Sequence, residues 1–413
     1  MDILNTLSIL ITLAAFFSYI NYRYIKLPTT IGIMLIALIM SALLIIAGKL
    51  GLRDLFLHAE NILRGIDFHQ TLMDGMLSFL LFAGALHINL NDLAKEKWVV
   101  FSLATFGVVM STFLIGGLSW LVFSAFGLNI SYIYCLLFGA LISPTDPIAV
   151  MGILKKAGAS KSLEIKIAGE SLFNDGIGVV IFVVVLGIAI GGTEPTLGSV
   201  ALFFVQEAIG GVVFGLVIGY ATFVMLRTVD NYQVEIMLTL ALVMGGYALA
   251  HAIHVSGPIA MVVAGLLIGN HGREHAMSEA TRIRLDDFWE LVDEILNAVL
   301  FVIIGLEVLV LSFKVEYLLV ILAIIPLVLG VRYVSVALPV KLLSRFKSFS
   351  PRVVEIMTWG GLRGGISIAL ALSLPLGPER EIILTITYLV VAFSILVQGL
   401  TVNQVVKGNL SLS

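Results

Sequence analysis

The sequence predicts an all-α polytopic membrane protein with about 13 transmembrane helices. Its 413 residues are 59% hydrophobic and only 12% charged, whereas globular domains carry about twice that share of charge. Apolar runs recur along the whole chain, and most reach the roughly 20 residues that a helix needs to cross the hydrocarbon core. Two of these runs, 139–151 and 359–367, are interrupted in the middle by prolines or by glycines.

The apolar runs define thirteen predicted spans, numbered in chain order. The ninth is short enough to be a partial span. The spans cover residues 3–20, 27–48, 69–90, 98–126, 131–154, 167–192, 197–226, 233–253, 257–270, 290–312, 316–344, 352–374 and 381–405.

The basic residues of the loops predict the orientation of the chain. With these spans, 17 of the 24 Lys and Arg residues fall in loops or at span ends on one side and five on the other, while Arg332 and Arg363 fall deep inside spans. Basic loop residues mark the cytoplasmic side. We therefore expect the N-terminus outside and the C-terminus in the cytoplasm of a cell, with the chain in the inner (cytoplasmic) membrane.

The two interrupted spans predict an inverted repeat. Pro144 and Pro147 break span 5, and the glycines of "WGGLRGGIS", residues 359–367, break span 12. The two spans are seven apart, an odd number, so they cross in opposite directions. Paired broken helices in corresponding halves are typical of inverted-repeat transporters, whose site lies at the breaks. Spans 1–6 and 8–13 would form the repeats.

The break in span 5 is a candidate cation site. A broken helix in lipid leaves backbone groups unpaired, which is tolerated where the chain lines a cavity or binds a ligand. Freed carbonyl oxygens and the hydroxyl of Thr145 are oxygen ligands suited to a small cation, and Asp146 adds a charge. The alternative is a proline-kinked helix in which Asp146 only caps the second half.

A second candidate group lies in "GESLFNDG", residues 169–176, near the start of span 6. Ser171 and Asp175 are four residues apart and share one helix face, as do Glu170 and Asn174 on the adjacent face. Counted from the predicted cytoplasmic ends of their spans, both Asp146 and Asp175 lie roughly 12 Å deep at about 1.5 Å per residue. Two carboxylates at one depth on neighbouring spans can meet. The alternative is an Asn–Asp pair that only bonds a neighbouring helix.

The buried charges constrain the mechanism. Asp146, Glu170 and Asp175 supply three negative charges, and Arg332 and Arg363 supply two positive ones. The remaining negative charge can be neutralised by a proton or by a bound cation. Mutually exclusive occupancy of one site is what an exchanger requires. This count leaves out Glu207 and Glu307, which also fall within predicted spans.

Three motifs together resemble those of monovalent cation–proton antiporters of the NhaP and sodium–proton exchanger type. They are S-P-T-D-P at 143–147, G-E-S-L-F-N-D-G at 169–176 and G-G-L-R-G-G at 360–365. The resemblance implies an NhaA-like fold with crossed, half-unwound helices, alternating access and a homodimer. It implies no cofactor.

The resemblance also implies roles for individual residues. Thr145, Asp146, Ser171, Asn174 and Asp175 would line the cation and proton site, with Asp175 central. Asn174 is the residue found in the electroneutral one-for-one exchangers. Glu170 would form the core ion pair, with Arg332 as the favoured partner and Arg363 nearer Asp146. Ala83 departs from the pattern, because some relatives carry at this position a glutamate that helps to hold the ion.

We therefore expect a secondary antiporter that exchanges Na⁺ for H⁺, with Li⁺ or K⁺ as alternative cations. The whole chain, 1–413, would be one transmembrane domain in contact with lipid. Residues 1–90 and 197–312 would form a dimerisation part, and residues 98–192 and 316–405 an ion-transporting core. K⁺/H⁺ exchange is the nearest alternative, followed by a passive cation channel. Neither an enzymatic activity nor nucleic-acid binding is expected.

Overall fold

The computed structural model describes residues 3–191, 197–311 and 316–410, and these residues are almost entirely helical. Five short π-helical stretches continue or join the α-helices at Asn21–Ile25, Thr71–Met76, Ser102–Gly107, Ile268–Gly272 and Ser394–Gln398. The α-helices are α1 Ile3–Ile20, α2 Thr29–Lys49, α3 Arg53–Arg64, α4 Phe68–Gln70, α5 Leu77–Leu86, α6 Leu90–Phe101, α7 Val108–Ala125, α8 Tyr132–Ile142, α9 Ile148–Ala157, α10 Lys161–Gly191, α11 Leu197–Leu226, α12 Tyr232–Ala252, α13 Gly257–Leu267, α14 Arg273–Ala276, α15 Glu279–Glu307, α16 Glu316–Leu343, α17 Val353–Trp359, α18 Gly365–Leu372, α19 Pro378–Phe393 and α20 Gly399–Leu410.

The all-helical fold class is confirmed within the described residues, and each of the thirteen predicted segments is helical there. Eight helical stretches are long and apolar enough, by length and composition, to cross a membrane. The number of crossings therefore stays a prediction. The short helix α3 lies outside every predicted span. Lys314, one of the five basic residues on the opposite side, falls outside the described residues.

The prediction of two crossed, partly unwound helices is confirmed. Span 5 divides into α8 and α9, and span 12 divides into α17 and α18. The unwound stretches pass each other in antiparallel orientation, and the amide of Asp146 donates to the carbonyl of Leu362 at 2.8 Å. Each break thus satisfies one backbone group of the other, which a chain in lipid requires.

The helices pack mainly in two groups. In one group α15 packs on α1, α2 and α5, and α13 packs on α5, α11 and α12. In the other group α7 packs on α8 and α16, and α10 packs on α6 and α8. This packing agrees with a division into 1–90 with 197–312 and 98–192 with 316–405, but the division itself stays a prediction.

The tightest helix pair of the second group depends on small residues. A Cβ atom added at Gly139 of α8 would lie 2.2 Å from the carbonyl oxygen of Thr112 on α7. At Gly116 of α7 it would lie 3.0 Å from the Cα of Leu136. Small residues at helix interfaces let two backbones approach closely within a membrane. The backbones of α7 and α8 therefore touch only because both positions lack a side chain.

Gly139→Ala should lower stability, because the new methyl group forces α7 and α8 apart. Overpacking of this kind costs about 1–3 kcal/mol, and we expect a melting temperature several degrees lower in detergent. The control is Gly117→Ala, since a Cβ at Gly117 of α7 meets nothing within 4 Å. Equal melting temperatures for the two variants would contradict the close contact.

Candidate functional site

A cavity of about 550 Å³ reaches the crossing of the two broken spans from one end of the bundle. Its inner wall includes Asp146 from the break in span 5, Ser171 and Asp175 from α10, and Asp293 from α15. Its other end is lined by Lys155 and other polar residues at the ends of α9 and α10. This end is the one that the loop charges predict to be cytoplasmic. We call this space the inner cavity.

Asn174 fixes the break in span 5 to α10. Its amide oxygen accepts from the Thr145 backbone amide at 3.3 Å, and its Nδ2 donates to Thr145 Oγ1 at 2.8 Å. The Thr145 hydroxyl also lies 3.0 Å from Ser171 Oγ. Thr145, Ser171 and Asn174 are all buried. Asn174 therefore uses both ends of its amide to position Thr145.

Asp146 is held by backbone on one side and borders the cavity on the other. Its Oδ1 accepts from the backbone amide of Ile148, the first residue of α9, at 2.9 Å. A Cβ added at Gly364 would lie 2.6 Å from Asp146 Oδ2. The glycine of the second break thus leaves the space that this carboxylate occupies. Asp146 therefore bonds the start of α9 and lines the cavity at the same time. The cation-site interpretation and the helix-capping interpretation of Asp146 are compatible.

Asp175 differs from the other acidic residues of the core. Within the described part of the chain it makes no hydrogen bond or ion pair, and it is half-buried in the wall of the inner cavity. It is close enough to Asp146 for the two charges to repel each other. A carboxylate without a protein partner, beside a second negative charge, favours binding of a proton or a cation.

Glu170 and Arg332 form a buried bidentate ion pair. Arg332 Nη1 donates to Glu170 Oε1 at 2.5 Å, and Nη2 donates to Oε2 at 2.9 Å. Nη2 also donates to the carbonyl of Met357 at 3.2 Å, at the end of the first half of broken span 12. A Cβ at Gly361 would lie 2.7 Å from Arg332 Nε. The pair therefore connects α10, α16 and the second break.

Arg363 satisfies backbone oxygens rather than a carboxylate. Its Nη1 donates to the carbonyl of Ser143 at 2.5 Å and to that of Pro144 at 3.0 Å. These are carbonyls that the break in span 5 leaves without helical partners. The backbone amide of Arg363 donates to Ser394 Oγ at 2.9 Å. The guanidinium of one break thus binds the backbone of the other, and Asp146 stays outside its hydrogen bonds.

Asp293 is a site residue that the sequence analysis missed. It lines the inner cavity from α15 and interacts electrostatically with Asp146. The predicted span began at residue 290, which placed Asp293 at a membrane surface and outside the charge count. The helix begins at Glu279, eleven residues earlier. The sequence feature that could have indicated Asp293 is its spacing from Asn297, because residues four apart share one helix face.

The described residues contain no group of three or more His, Cys, Asp or Glu side chains arranged to hold a metal ion. The groups that converge at the crossing are two carboxylates and two hydroxyls, from Asp146, Asp175, Thr145 and Ser171. Hard oxygen atoms of this kind bind Na⁺-like cations.

Residues 11–408 match the family described as sodium/hydrogen exchanger, transmembrane. The chain is 55% identical over 408 residues to the Na⁺/H⁺ antiporter NhaP of Pseudomonas aeruginosa, covering 98% of this chain and 96% of that protein. It is 34% identical over 392 residues to the Na⁺/H⁺ antiporter NhaH of Halobacillus aidingensis, covering 93% of each.

The fold matches that of the sodium proton antiporter MjNhaP1 of Methanocaldococcus jannaschii, solved at pH 8, with a TM-score of 0.74. The match covers 99% of this chain and 100% of that one at 20% identity. The chain belongs to the sodium/hydrogen exchanger family of membrane proteins. The expected family and fold are thereby confirmed.

Glu170→Ala should destabilise the protein, because it leaves the Arg332 guanidinium buried without its carboxylate. Breaking a buried pair costs about 3–5 kcal/mol, so the yield of folded protein and its melting temperature should fall. The double variant Glu170→Leu with Arg332→Leu should recover part of the loss.

The matched control is Lys95→Ala. The Lys95 ammonium forms an ion pair with Asp92 at 2.8 Å, but the Lys95 side chain is 72% exposed. Loss of an exposed pair costs less than about 1 kcal/mol. A Glu170→Ala protein as stable as this control, yet inactive, would show that Glu170 acts in the ion site instead.

Proposed function

We propose that this chain is a secondary antiporter that exchanges Na⁺ for H⁺ across the membrane at Asp175. The observation that carries the proposal is the unpartnered Asp175 carboxylate beside Asp146 in a cavity at the crossing of two broken helices. The relatives named above are Na⁺/H⁺ antiporters by name, which favours Na⁺ over K⁺. Li⁺ is kept as a second cation of similar size.

The cation binds between the two breaks of the core. Asp175 supplies the central carboxylate, and Asp146 lines the same cavity from the first break. The hydroxyls of Ser171 and Thr145, 3.0 Å apart, supply neutral oxygens. Asn174 belongs to the same site, where both ends of its amide are bonded to Thr145. Its role is to position Thr145.

Exchange follows from competition. When Asp175 holds a proton, its negative charge is neutralised and a cation loses its main attraction; when it holds Na⁺, the proton is excluded. Asn174 is neutral, so α10 brings one exchanging carboxylate to the site rather than two. One proton for one Na⁺ moves no net charge, and the exchange is electroneutral.

Alternating access, rather than a continuous pore, agrees with the cavities of the described residues. The inner cavity opens at one end of the bundle, and a second cavity lined by Glu307 and Arg380 opens at the other. The two have no lining residue in common. A passive channel needs a continuous path, so this arrangement favours a carrier. We further propose that the N-terminus lies outside and the chain lies in the cytoplasmic membrane. The chain forms a homodimer through the dimerisation part, residues 1–90 and 197–312.

Asp175→Asn should abolish exchange, because an amide cannot alternate between a proton and a cation. We expect Na⁺-driven dequenching of a pH-sensitive dye in proteoliposomes to fall to the level of empty liposomes. The control is Asp54→Asn, an exposed residue in the first turn of α3, which should keep wild-type rates. Persistent exchange in Asp175→Asn would overturn the assignment. An imposed voltage should leave the wild-type rate unchanged.

Asp293→Asn should weaken the binding of Na⁺ that enters from the inner cavity, while the exchange of Na⁺ and H⁺ at Asp175 continues. Ala83 gives α5 no carboxylate, whereas Asp293 on the adjacent α15 lines the inner cavity. Removing this charge lowers the local concentration of cations. We expect an increase of about 3- to 10-fold in the apparent KM for Na⁺, with a similar maximal rate. Glu294→Gln is the control, because Glu294 is exposed and does not line the cavity; identical KM values would exclude the role.

A further inference from the structure

A second cavity, of about 640 Å³, lies at the end of the bundle opposite the inner cavity. We call it the outer cavity. On α15 the inner cavity is lined by Asp293 and Leu300 and the outer cavity by Glu307. Fourteen residues separate Asp293 from Glu307, which is about 21 Å along a helix. Polar residues of the outer cavity include Asp67, His69, Glu307, Arg380, Glu381 and Thr385.

The wall between the two cavities is thin. On α18, Ile366 and Ser367 line the inner cavity and Leu372 lines the outer one. The five residues from Ser367 to Leu372 rise by about 7.5 Å. On the facing segment, Leu72 lines the inner cavity and His69, three residues away, lines the outer one. Between these positions about one helical turn of each segment separates the two spaces.

A hydrogen bond crosses this wall. His69 Nδ1 lies 2.9 Å from the carbonyl oxygen of Ala369 on α18. A carbonyl can only accept, so the imidazole donates from Nδ1. The same carbonyl accepts from the amide of Ser373 at 3.1 Å, as expected at a helix end. The bond joins α4, in the predicted dimerisation part, to α18, in the predicted core.

We propose that the outer cavity is the outward half of the ion path and that the hydrogen bond from His69 to Ala369 keeps it closed while the inner cavity is open. The proposal rests on the antiport function proposed above. The path from Asp175 to the outer cavity passes the point where α4 meets α18. When α18 moves away from α4, this bond is lost and the wall opens. Asp67, Glu307 and Glu381 then face a cation leaving toward the outer surface.

The proposal makes His69 a positioning residue whose bond exists in one of two states. A bond present in only one state shifts the ratio of the two states by its own net free energy. For one hydrogen bond that shift is about 2- to 10-fold. Without the donor, the ratio of outward-open to inward-open protein should rise by that factor. Asn should substitute for His, because its Nδ2 is separated from Cβ by the same two bonds as His Nδ1.

The test uses Ile366→Cys, which places a thiol on the inner-cavity side of α18. Cys135 is the sole cysteine of the chain and is fully buried, so the wild type reports background labelling. Right-side-out vesicles are treated with a membrane-impermeant quaternary-ammonium methanethiosulfonate. Adding His69→Leu should raise the ratio of the labelling rate from outside to the rate in inside-out vesicles about 2- to 10-fold, whereas His69→Asn should stay near the ratio of Ile366→Cys alone.

His58→Leu is the matched control, because His58 is exposed on α3 and contributes to neither cavity. If His69→Leu does not fold, His69→Ala takes its place, because alanine also lacks the donor and is smaller than leucine. Unchanged labelling in the His69 variants, with Na⁺/H⁺ exchange intact, would overturn the gate but not the antiport function. Shifted labelling in a chain that performs no exchange would retain the gate and overturn the antiport function.

Discussion

The structure depends on satisfying the backbone of two broken helices in the interior of a membrane protein. Each break is completed by the other: the Asp146 amide binds the Leu362 carbonyl, and Arg363 binds the carbonyls of Ser143 and Pro144. In lipid each such group would cost several kcal/mol if left unpaired. The two breaks can therefore exist only together, because the motifs at 143–147 and 360–365 supply hydrogen-bond partners to each other's backbone.

This constraint decides which charges are available for binding. Arg363 donates to carbonyl oxygens and Arg332 is bound by Glu170, so within the described residues neither guanidinium forms a hydrogen bond or an ion pair with Asp146 or Asp175. A buried arginine on either aspartate would have fixed that carboxylate in the charged form and excluded a cation. Backbone hydrogen bonding and ion binding are thus coupled. Arg363 is bound to the backbone of the break and Arg332 to Glu170, so the Asp175 carboxylate stays accessible to a proton or a cation.

Much of this arrangement could be predicted from the sequence, because prolines, glycines and charges inside apolar runs have few physical explanations. Pro144 and Pro147 marked the first break, and the spacing of Ser171, Asn174 and Asp175 marked one side of α10. Asp293 was not predictable in the same way, because it lies on an ordinary amphipathic helix and becomes a cavity residue only through the packing of α15 on α5. Nor did the sequence indicate that Gly361 and Gly364 leave space for Arg332 and Asp146, since a close approach depends on the facing chain.

The contacts also differ in kind between the interior of the crossing and its boundary with α15. Inside the crossing they are backbone bonds and a bidentate ion pair, which must persist if no backbone group is to be left unpaired. At the boundary, Gly365 of α18 packs against the apolar side chain of Leu300, with a Cβ position only 2.6 Å from Leu300 Cδ1. Apolar contacts have no direction and can be exchanged for others at little cost. A motion that exposes the site to the opposite face would therefore preserve the crossing as a rigid unit and slide it along α15, rather than rewind either broken helix.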